Sequence, residues 1–399
     1  MSTRIIVELH ALQTVPPSNL NRDDTGTPKS ALYGGVRRAR VSSQAWKRAT
    51  RKRFHDLLDP NELGVRTKRV AEELAKHIRR LDDSIPQQEA WDLAAETIQT
   101  ATGSKIEPPK RAKKADDTAA VAPESKYLMF FSTRQLAGLA ELAVKGRDDI
   151  KGFFKDKDNK AEAKQLANSR HSVDIALFGR MVADGADVNV DAAAQVAHAL
   201  SVHRAEVESD YYTAVDDAKS RENQDDLGAG MIGTVEFNSA TLYRFAAVDI
   251  DLLRRNLGAG LRDDEPGTVP VRRAVEAFVE GFITSLPTGK INTFGNHTLP
   301  DAVLVKLRSS RPISLVAAFE EPVRPAEGVG GHVRGAAERL TAYLPDIESA
   351  YGVNGTDDAW VMTVGPNTVP MQELGDKVSL PELVEQVGAA VAARLDDQQ

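Results

Sequence analysis

An α+β fold, built on one sheet and interrupted by long insertions, is what the sequence predicts. Three observations carry that expectation. Residues 4–12 (RIIVELHAL) set Ile5, Val7, Leu9 and Ala11 against Ile6, Glu8, His10 and Leu12, the two-residue period of a strand beside the core. Residues 234–248 (TVEFNSATLYRFAAV) are β-branched and aromatic, the strongest strand signal in the chain. Residues 270–286 place Ala274, Val275, Phe278, Val279, Phe282 and Leu286 on one stripe, as a helix covering a sheet does.

The other elements follow in order. Pro16 to Pro28 reads as a long irregular loop, rich in Pro, Asn, Asp and Gly. Ser42 or Ser43 can cap a helix running through Trp46, Ala49 and Leu57. Lys47 and Arg51 are four residues apart on it, and so are Arg48 and Lys52, which gives two adjacent rows of cations. Helical patterns follow at about 61–81 and 87–100. The Pro-, Ala- and Lys-rich residues 103–125 read as a flexible surface segment, and 132–168 as charged and mostly helical. Val173 to Gly179 reads as a buried strand or turn. Residues 205–235 are polar and Gly-containing, an arm. Residues 302–307 and 359–364 are further short strands. Strand, helix, strand, strand, helix, strand is the order of a ferredoxin-like sheet, and also of an RNA recognition motif. At 399 residues the chain exceeds the roughly 250–300 at which single cores stop growing, so two or three substructures are expected.

Composition narrows the chemistry. The absence of cysteine removes disulfides, thiolate metal sites and cysteine nucleophiles, and fits a reducing compartment. The first residues are too polar for a secretory signal, and no apolar run approaches the roughly 20 residues of a membrane-spanning helix. A soluble, cytoplasmic protein that does not engage a membrane is the expectation.

Catalytic motifs are not assembled. The eight histidines are scattered, and no HExxH or GxxxxGK[ST] occurs. Residues 228–233 match GxGxxG, but a polar loop precedes them and a strand follows, the reverse of the order a dinucleotide site needs. The pairs Asp23-Asp24 and Asp216-Asp217 could hold a divalent metal for phosphodiester cleavage, though loop carboxylates in turns are the simpler reading. No enzyme, cofactor or metal is therefore expected.

Charge is the stronger signal. The net charge is −7, yet Lys29 to His55 carries nine Lys and Arg residues and no acid. Gly34-Gly35 and Ser42-Ser43 bracket Arg37, Arg38 and Arg40. A close backbone approach, serine hydroxyls and a helix N-terminus suit phosphate. Phosphate contacts give affinity without sequence choice. In the arm, Tyr211 to Val215 is an apolar, aromatic cluster, either a hairpin tip packed on its own domain or a wedge against bases.

The blocks LNRDD (20–24), GGVRRARVSSQAWKRA (34–49), VDIALFGRM (173–181), AHAL (197–200), YYTAVDD (211–217), GTVEF (233–237) and YRFA (243–246) resemble, in the same order, the CasC-type backbone subunit of the type I-E CRISPR Cascade complex. That subunit belongs to the superfamily of repeat-associated RNA-binding proteins. The resemblance is tight at the N-terminus and over 173–246, and looser in 60–165 and after about 310.

It implies a hand-like chain. The palm is a modified RNA recognition motif made of 1–58, 171–204 and 233–399. The helical fingers are 59–170 and the thumb hairpin is 205–232. It implies a non-catalytic role: copies stack in a helical filament along one CRISPR guide RNA, with other Cascade subunits, and present the guide to target DNA. By the same resemblance, Lys29, Arg37, Arg38, Arg40, Ser42, Gln44, Lys47 and Arg51 grip the guide and Met181 packs against its bases. Tyr212, Thr213 and Val215 form the thumb tip that flips a base at intervals. Lys290 and Asn292 form a further guide-contacting loop, and Lys151, Lys155, Lys157 and Lys160 face target DNA. Val36 stands where the family has another basic residue, and 103–125 is longer and more Lys/Pro-rich than the family pattern.

Two other functions fit parts of the chain. A metal-dependent RNA endonuclease of the same superfamily would use Asp23 or Asp24. A stand-alone single-strand binder would need only the cations.

Overall fold

The computed structural model describes residues 4–109, 121–182, 188–214, 231–258, 262, 265–325, 331–353 and 358–398. Its strands are β1 (Ile6–Ser18), β2 (Ser30–Tyr33), β3 (Val36–Val41), β4 (Gly64–Thr67), β5 (Ile106–Glu107), β6 (Glu124–Ser125), β7 (Met129–Ser132), β8 (Ala194–Val196), β9 (Ala199–Ser201), β10 (Glu208–Ala214), β11 (Met231–Asp249), β12 (Ala302–Arg308), β13 (Asp358–Thr363) and β14 (Asp376–Lys377). Its α-helices are α1 (Ser43–Leu57), α2 (Val70–Leu81), α3 (Gln87–Thr102), α4 (Thr133–Lys145), α5 (Ile150–Phe153), α6 (Lys157–Ala167), α7 (Val173–Phe178), α8 (Ile250–Leu257), α9 (Thr268–Thr284), α10 (Ile291–Phe294), α11 (Val333–Ala350) and α12 (Leu380–Asp396).

The main sheet runs β14-β13-β12-β1-β11-β9-β3-β2, with β8 and β10 also paired to β11. β1 lies antiparallel to both β11 and β12. Taken as β1-α1-β9-β11-α9-β12, the central order β12-β1-β11-β9 is that of a ferredoxin-like sheet. The fold class is α+β, as expected.

β1 is buried on both faces, and its alternation separates two cores. Ile5, Val7, Leu9 and Ala11 join the cluster under α1, α9 and α12. Ile6 and Leu12 face a second cluster, closed by residues 315–319, α11 and Met371. Glu8 and His10 share that second face and are fully buried. Burial alone would raise the Glu8 pKa, but the His10 contact and the nearby Arg308 outweigh it and hold the carboxyl below its usual range. Arg308 Nε sits 2.7 Å from Glu8 and its Nη2 2.7 Å from Glu348, which Lys306 also reaches at 2.7 Å. The Ile313 amide donates to the other Glu8 oxygen at 2.9 Å. His10 contacts the Tyr243 hydroxyl at 2.8 Å, and that hydroxyl accepts from the Leu315 amide. The network bonds the sheet to the segment that covers it.

The inserted helices form a third cluster of their own, with Leu74, Ile78, Leu93, Ile98, Leu139 and Phe154 among its members. Two sequence expectations are corrected, and one element not assigned from the sequence appears. The helix expected over 61–81 starts at Val70, after a short 3-10 turn and β4. Val173–Phe178, read as a strand or turn, is helix α7, since a short apolar run does not declare its period. Residues 30–41 form a hairpin that the cation count had obscured.

Replacing Arg308 by Met should leave Glu8 and Glu348 buried beside too little positive charge. A loss of about 3–5 kcal/mol is expected by denaturant unfolding. A loss below about 1 kcal/mol, as for an exposed pair, would show the network to be dispensable.

Candidate nucleic-acid interface

α1 displays the cations, and its other side holds it to the sheet. Trp46, Thr50 and Phe54 are its buried residues. From β11, the Arg244 guanidinium lies 3.8 Å from the Trp46 ring centroid and 4.4 Å from that of Phe282. It donates to Gln13 Oε1 at 2.7 Å and to the Phe282 carbonyl. Burial pulls the Arg244 pKa down to about 9. Ser42 caps α1, its hydroxyl accepting from the Ala45 amide. No acid occupies the first turn, and the first on the helix is Asp56.

Gln44, Lys47, Arg48 and Arg51 form one wall of a groove of about 910 Å³. The opposite wall comes from the β4–β7 pair, with Arg66, Leu128 and Phe130, and the end is closed by residues 178–181 and 189–192, Met181 included. Arg66 stands directly across from Phe130 in the strand pair. Arg51 lies 5.0 Å from the Phe130 ring centroid. Among the described residues Arg53 is the one cation of α1 in an ion pair, with Asp56 at 2.8 Å and Glu280 at 3.7 Å. Lys47, Arg48, Arg51 and Lys52 have none.

The titration shifts report the same shortage of anions. Burial lowers the Lys47 pKa. It also lowers that of Arg51, with Asp174 opposing and Arg66 and Arg48 adding to the fall. A cation desolvated without a counter-charge is poised to gain from an arriving phosphate. Met181 is 84% exposed at the groove end, a bare apolar face beside the cations.

Four expected guide-contacting residues, Gln44, Lys47, Arg51 and Met181, thus meet in one groove. Lys29 and Arg40 lie near the start of α1, where His198 Nδ1 accepts from the Ser43 amide at 3.2 Å and approaches Arg40 at 3.4 Å. Burial, then Arg40, then Lys29 lower the His198 pKa. Arg37 is exposed and donates to Ser30 Oγ at 2.9 Å.

Arg38 is a correction. It is fully buried and donates to the carbonyls of Tyr33, Ser201, Phe319 and Glu320 at 2.8–3.2 Å, so it braces the hairpin and has no face for a phosphate. Ser42 is likewise nearly buried, with its hydroxyl used as the cap. The Gly34-Gly35 turn has positive φ at both residues, the hairpin geometry that glycine permits. A Cβ on Gly34 would fall 1.6 Å from the Glu320 carbonyl oxygen, so the close approach is to the chain's own backbone.

The remaining expected residues lie elsewhere. Lys290 and Asn292 stand around the start of α10, beyond Gly289. Lys151, Lys155, Lys157 and Lys160 are exposed on and around α5 and α6, where Asp156 caps α6 instead of pairing with them. Tyr212 and Thr213 lie on β10, opposite Gly233 and Ile232. Val215, Asp216-Asp217 and most of 205–232 fall outside the described residues, as do 110–120 and Gly228 to Gly230 of the GxGxxG match. Asp23 Oδ1 accepts from Thr25 and Thr27 within its own loop, as a turn carboxylate does. Among the described residues no three His, Asp or Glu side chains cluster as a metal site, and no helix is long and apolar enough to cross a membrane.

A family model described as "CT1975-like protein" matches residues 7–386. The chain belongs to that family. Two solved structures are also similar to it. One, described as "CRISPR RNA-guided surveillance complex, pre-nicking", is 33% identical with a TM-score of 0.79 and covers 97% of this chain and 100% of its own. Another, described as "CRISPR RNA-guided surveillance complex", is 28% identical with a TM-score of 0.70, over 96% and 99%. No curated protein matches. These findings bear out the resemblance to a Cascade backbone subunit that the sequence blocks carried. Arg66, Leu128 and Phe130 of the CT1975-like chain went unassigned in the sequence, and Arg48 was read only as part of a row of cations. Arg66 lies on β4, Phe130 on β7 and Leu128 just before β7, and no local pattern marks them.

In Arg40→Gln, the His198 ring should titrate at higher pH than in the parent, followed by NMR of the imidazole. An unchanged midpoint would mean that the two side chains do not share a field.

Proposed function

We propose that this CT1975-like chain is a non-catalytic backbone subunit of a CRISPR RNA-guided surveillance complex, and that the groove beside α1 holds the phosphate backbone of the guide RNA. The observation that carries the reading is the set of cations on α1, unpaired among the described residues, that share a groove with Arg66, Leu128 and Phe130. Cations take phosphates without reading bases, which a scaffold for many guides requires. The exposed Met181 and Leu128 supply apolar contacts that any base can use.

In this reading Lys29, Arg37, Arg40, Gln44, Lys47 and Arg51 hold the guide, with Lys290 and Asn292 as a further contact. Residues 1–58, 171–204 and 233–399 are palm, 59–170 fingers and 205–232 thumb. Copies stack as a filament along one guide, and Tyr212 and Thr213 reach the neighbouring copy and displace a guide base at intervals. Lys151, Lys155, Lys157 and Lys160 attract target DNA. The separate apolar cluster of the inserted helices supports the fingers, and the β10–β11 pair supports the thumb. The hydrogen bonds that engage Asp23 support a turn role over an endonuclease.

The test is the salt dependence of binding to a single-stranded RNA. Each of Lys47→Gln and Arg51→Gln should lower the log–log slope by ~0.7 and weaken binding equally across sequences. RNA purified with the complex should show regularly spaced reactive nucleotides. Unchanged slopes, or protection without a period, would remove the groove or the filament from the reading.

A further inference from the structure

Arg180 precedes the exposed Met181 at the end of the groove and is itself only 4% exposed. Its guanidinium spends all five N–H donors inside the chain. Nε donates to the Val188 carbonyl at 2.6 Å. Nη1 donates to the Phe130 carbonyl at 3.3 Å and to Gln135 Oε1 at 3.4 Å. Nη2 donates to the Ala167 carbonyl at 2.9 Å and to Asn168 Oδ1 at 3.4 Å. Among the described residues no acid pairs with it. Burial pulls its pKa down to about 10, so it stays charged at neutral pH. Ala167 is the last residue of α6, and the negative end of that helix stands in for the missing carboxylate.

The five bonds hold three pieces of backbone at fixed distances. Two of them, β7 at Phe130 and the segment from Val188 to Val190, carry residues that line the groove. The third, Ala167-Asn168, ends the last of the inserted helices. Met181 is anchored on either side. Arg180 exchanges backbone hydrogen bonds with Val190 at 2.9 and 2.8 Å, and the Val182 amide donates to Asn189 Oδ1 at 2.6 Å. From this we infer that Arg180 is a positioning residue for guide binding, which sets Met181 and Phe130 against the cations of α1 without touching the guide. The inference rests on the guide-binding reading of the groove. A phosphate contact would need a free donor, and Arg180 has none. An apolar side chain would fill the same space without desolvating a charge. What the planar fork adds is a fixed spacing between the segments, which the single nitrogen of a lysine cannot reproduce.

The experiment is Arg180→Lys in the full chain. The ε-methyl NMR signal of Met181, identified by its loss in Met181→Ala, should shift, while that of the buried Met371 in the second cluster stays. Binding to a single-stranded RNA should weaken about tenfold with the salt slope unchanged, because no phosphate contact is lost. In the Met181→Ala background the same substitution should lose most of that effect. Thermal unfolding checks the fold. Should the lysine variant not fold, Asn168→Ala, which removes one acceptor on an exposed residue, carries the same test with a smaller shift. A slope lowered by ~0.7 would make Arg180 a phosphate contact and overturn the proposal. An unmoved methyl signal, or a moved one with unchanged affinity, would overturn it too. If Lys47→Gln and Arg51→Gln lower the slope while Arg180→Lys leaves binding as it was, only this inference fails. If those two substitutions leave the slope unaltered, the guide-binding reading of the groove falls first, and this inference with it.

Discussion

The site depends on a helix that repels itself. α1 places Lys47, Arg48, Arg51 and Lys52 within two turns, with no acid before Asp56. Like charges three or four residues apart each destabilise a helix by about 0.2–0.5 kcal/mol. Burying Trp46 and Phe54 on the opposite side contributes on the order of 1.5–3 kcal/mol apiece, so packing wins over repulsion. Arg244 adds a planar cation stacked on Trp46, tied at once to β1 through Gln13 and to α9 through the Phe282 carbonyl. The helix is held by everything except its charged side, which leaves that side free for an outside anion.

The second face of the sheet is governed by a different balance. Glu8, His10, Tyr243, Arg308 and Glu348 form a polar layer where an apolar one would pack more simply. Buried ion pairs add little net stability over apolar replacements, but losing one partner is costly. The layer therefore specifies more than it stabilises: residues 313–315 dock in one register, because the Ile313 and Leu315 amides each have one acceptor there.

Much of this was legible in the sequence, for reasons that can be named. β1, β11, α9, β12 and β13 show because their periods are strong and their residues suit them. α1 shows because Ser42 caps it and its cations recur every four residues. Arg37 and Arg38 could not be told apart: adjacent strand residues point to opposite faces, and which face meets the 319–320 carbonyls is a tertiary fact. Nothing local marked Glu8 and His10 as buried, because their partners lie more than 200 residues away, at Arg308 and Ile313 for Glu8 and at Tyr243 for His10. The side of the groove made by Arg66, Leu128 and Phe130 was hidden because its nearness to α1 is a tertiary fact. Helices α11 and α12 were not assigned, and they form the outer layer on each face.

β11 is one uninterrupted strand of 19 residues, roughly 60 Å at strand rise. Its first seven residues pair with β10, and from Asn238 onward it pairs with β1, whose register shifts between Val15 and Ser18 where the two regimes meet. The arm is therefore a beam extending from the sheet, with no joint between them. Its bearing is set by the twist of the main sheet and by the position of Arg244, six residues beyond Asn238. A torque applied at Tyr212 passes through its pairing with Gly233 into β11 and along that strand to Arg244, which stacks on Trp46, so the arm and α1 are coupled by one strand.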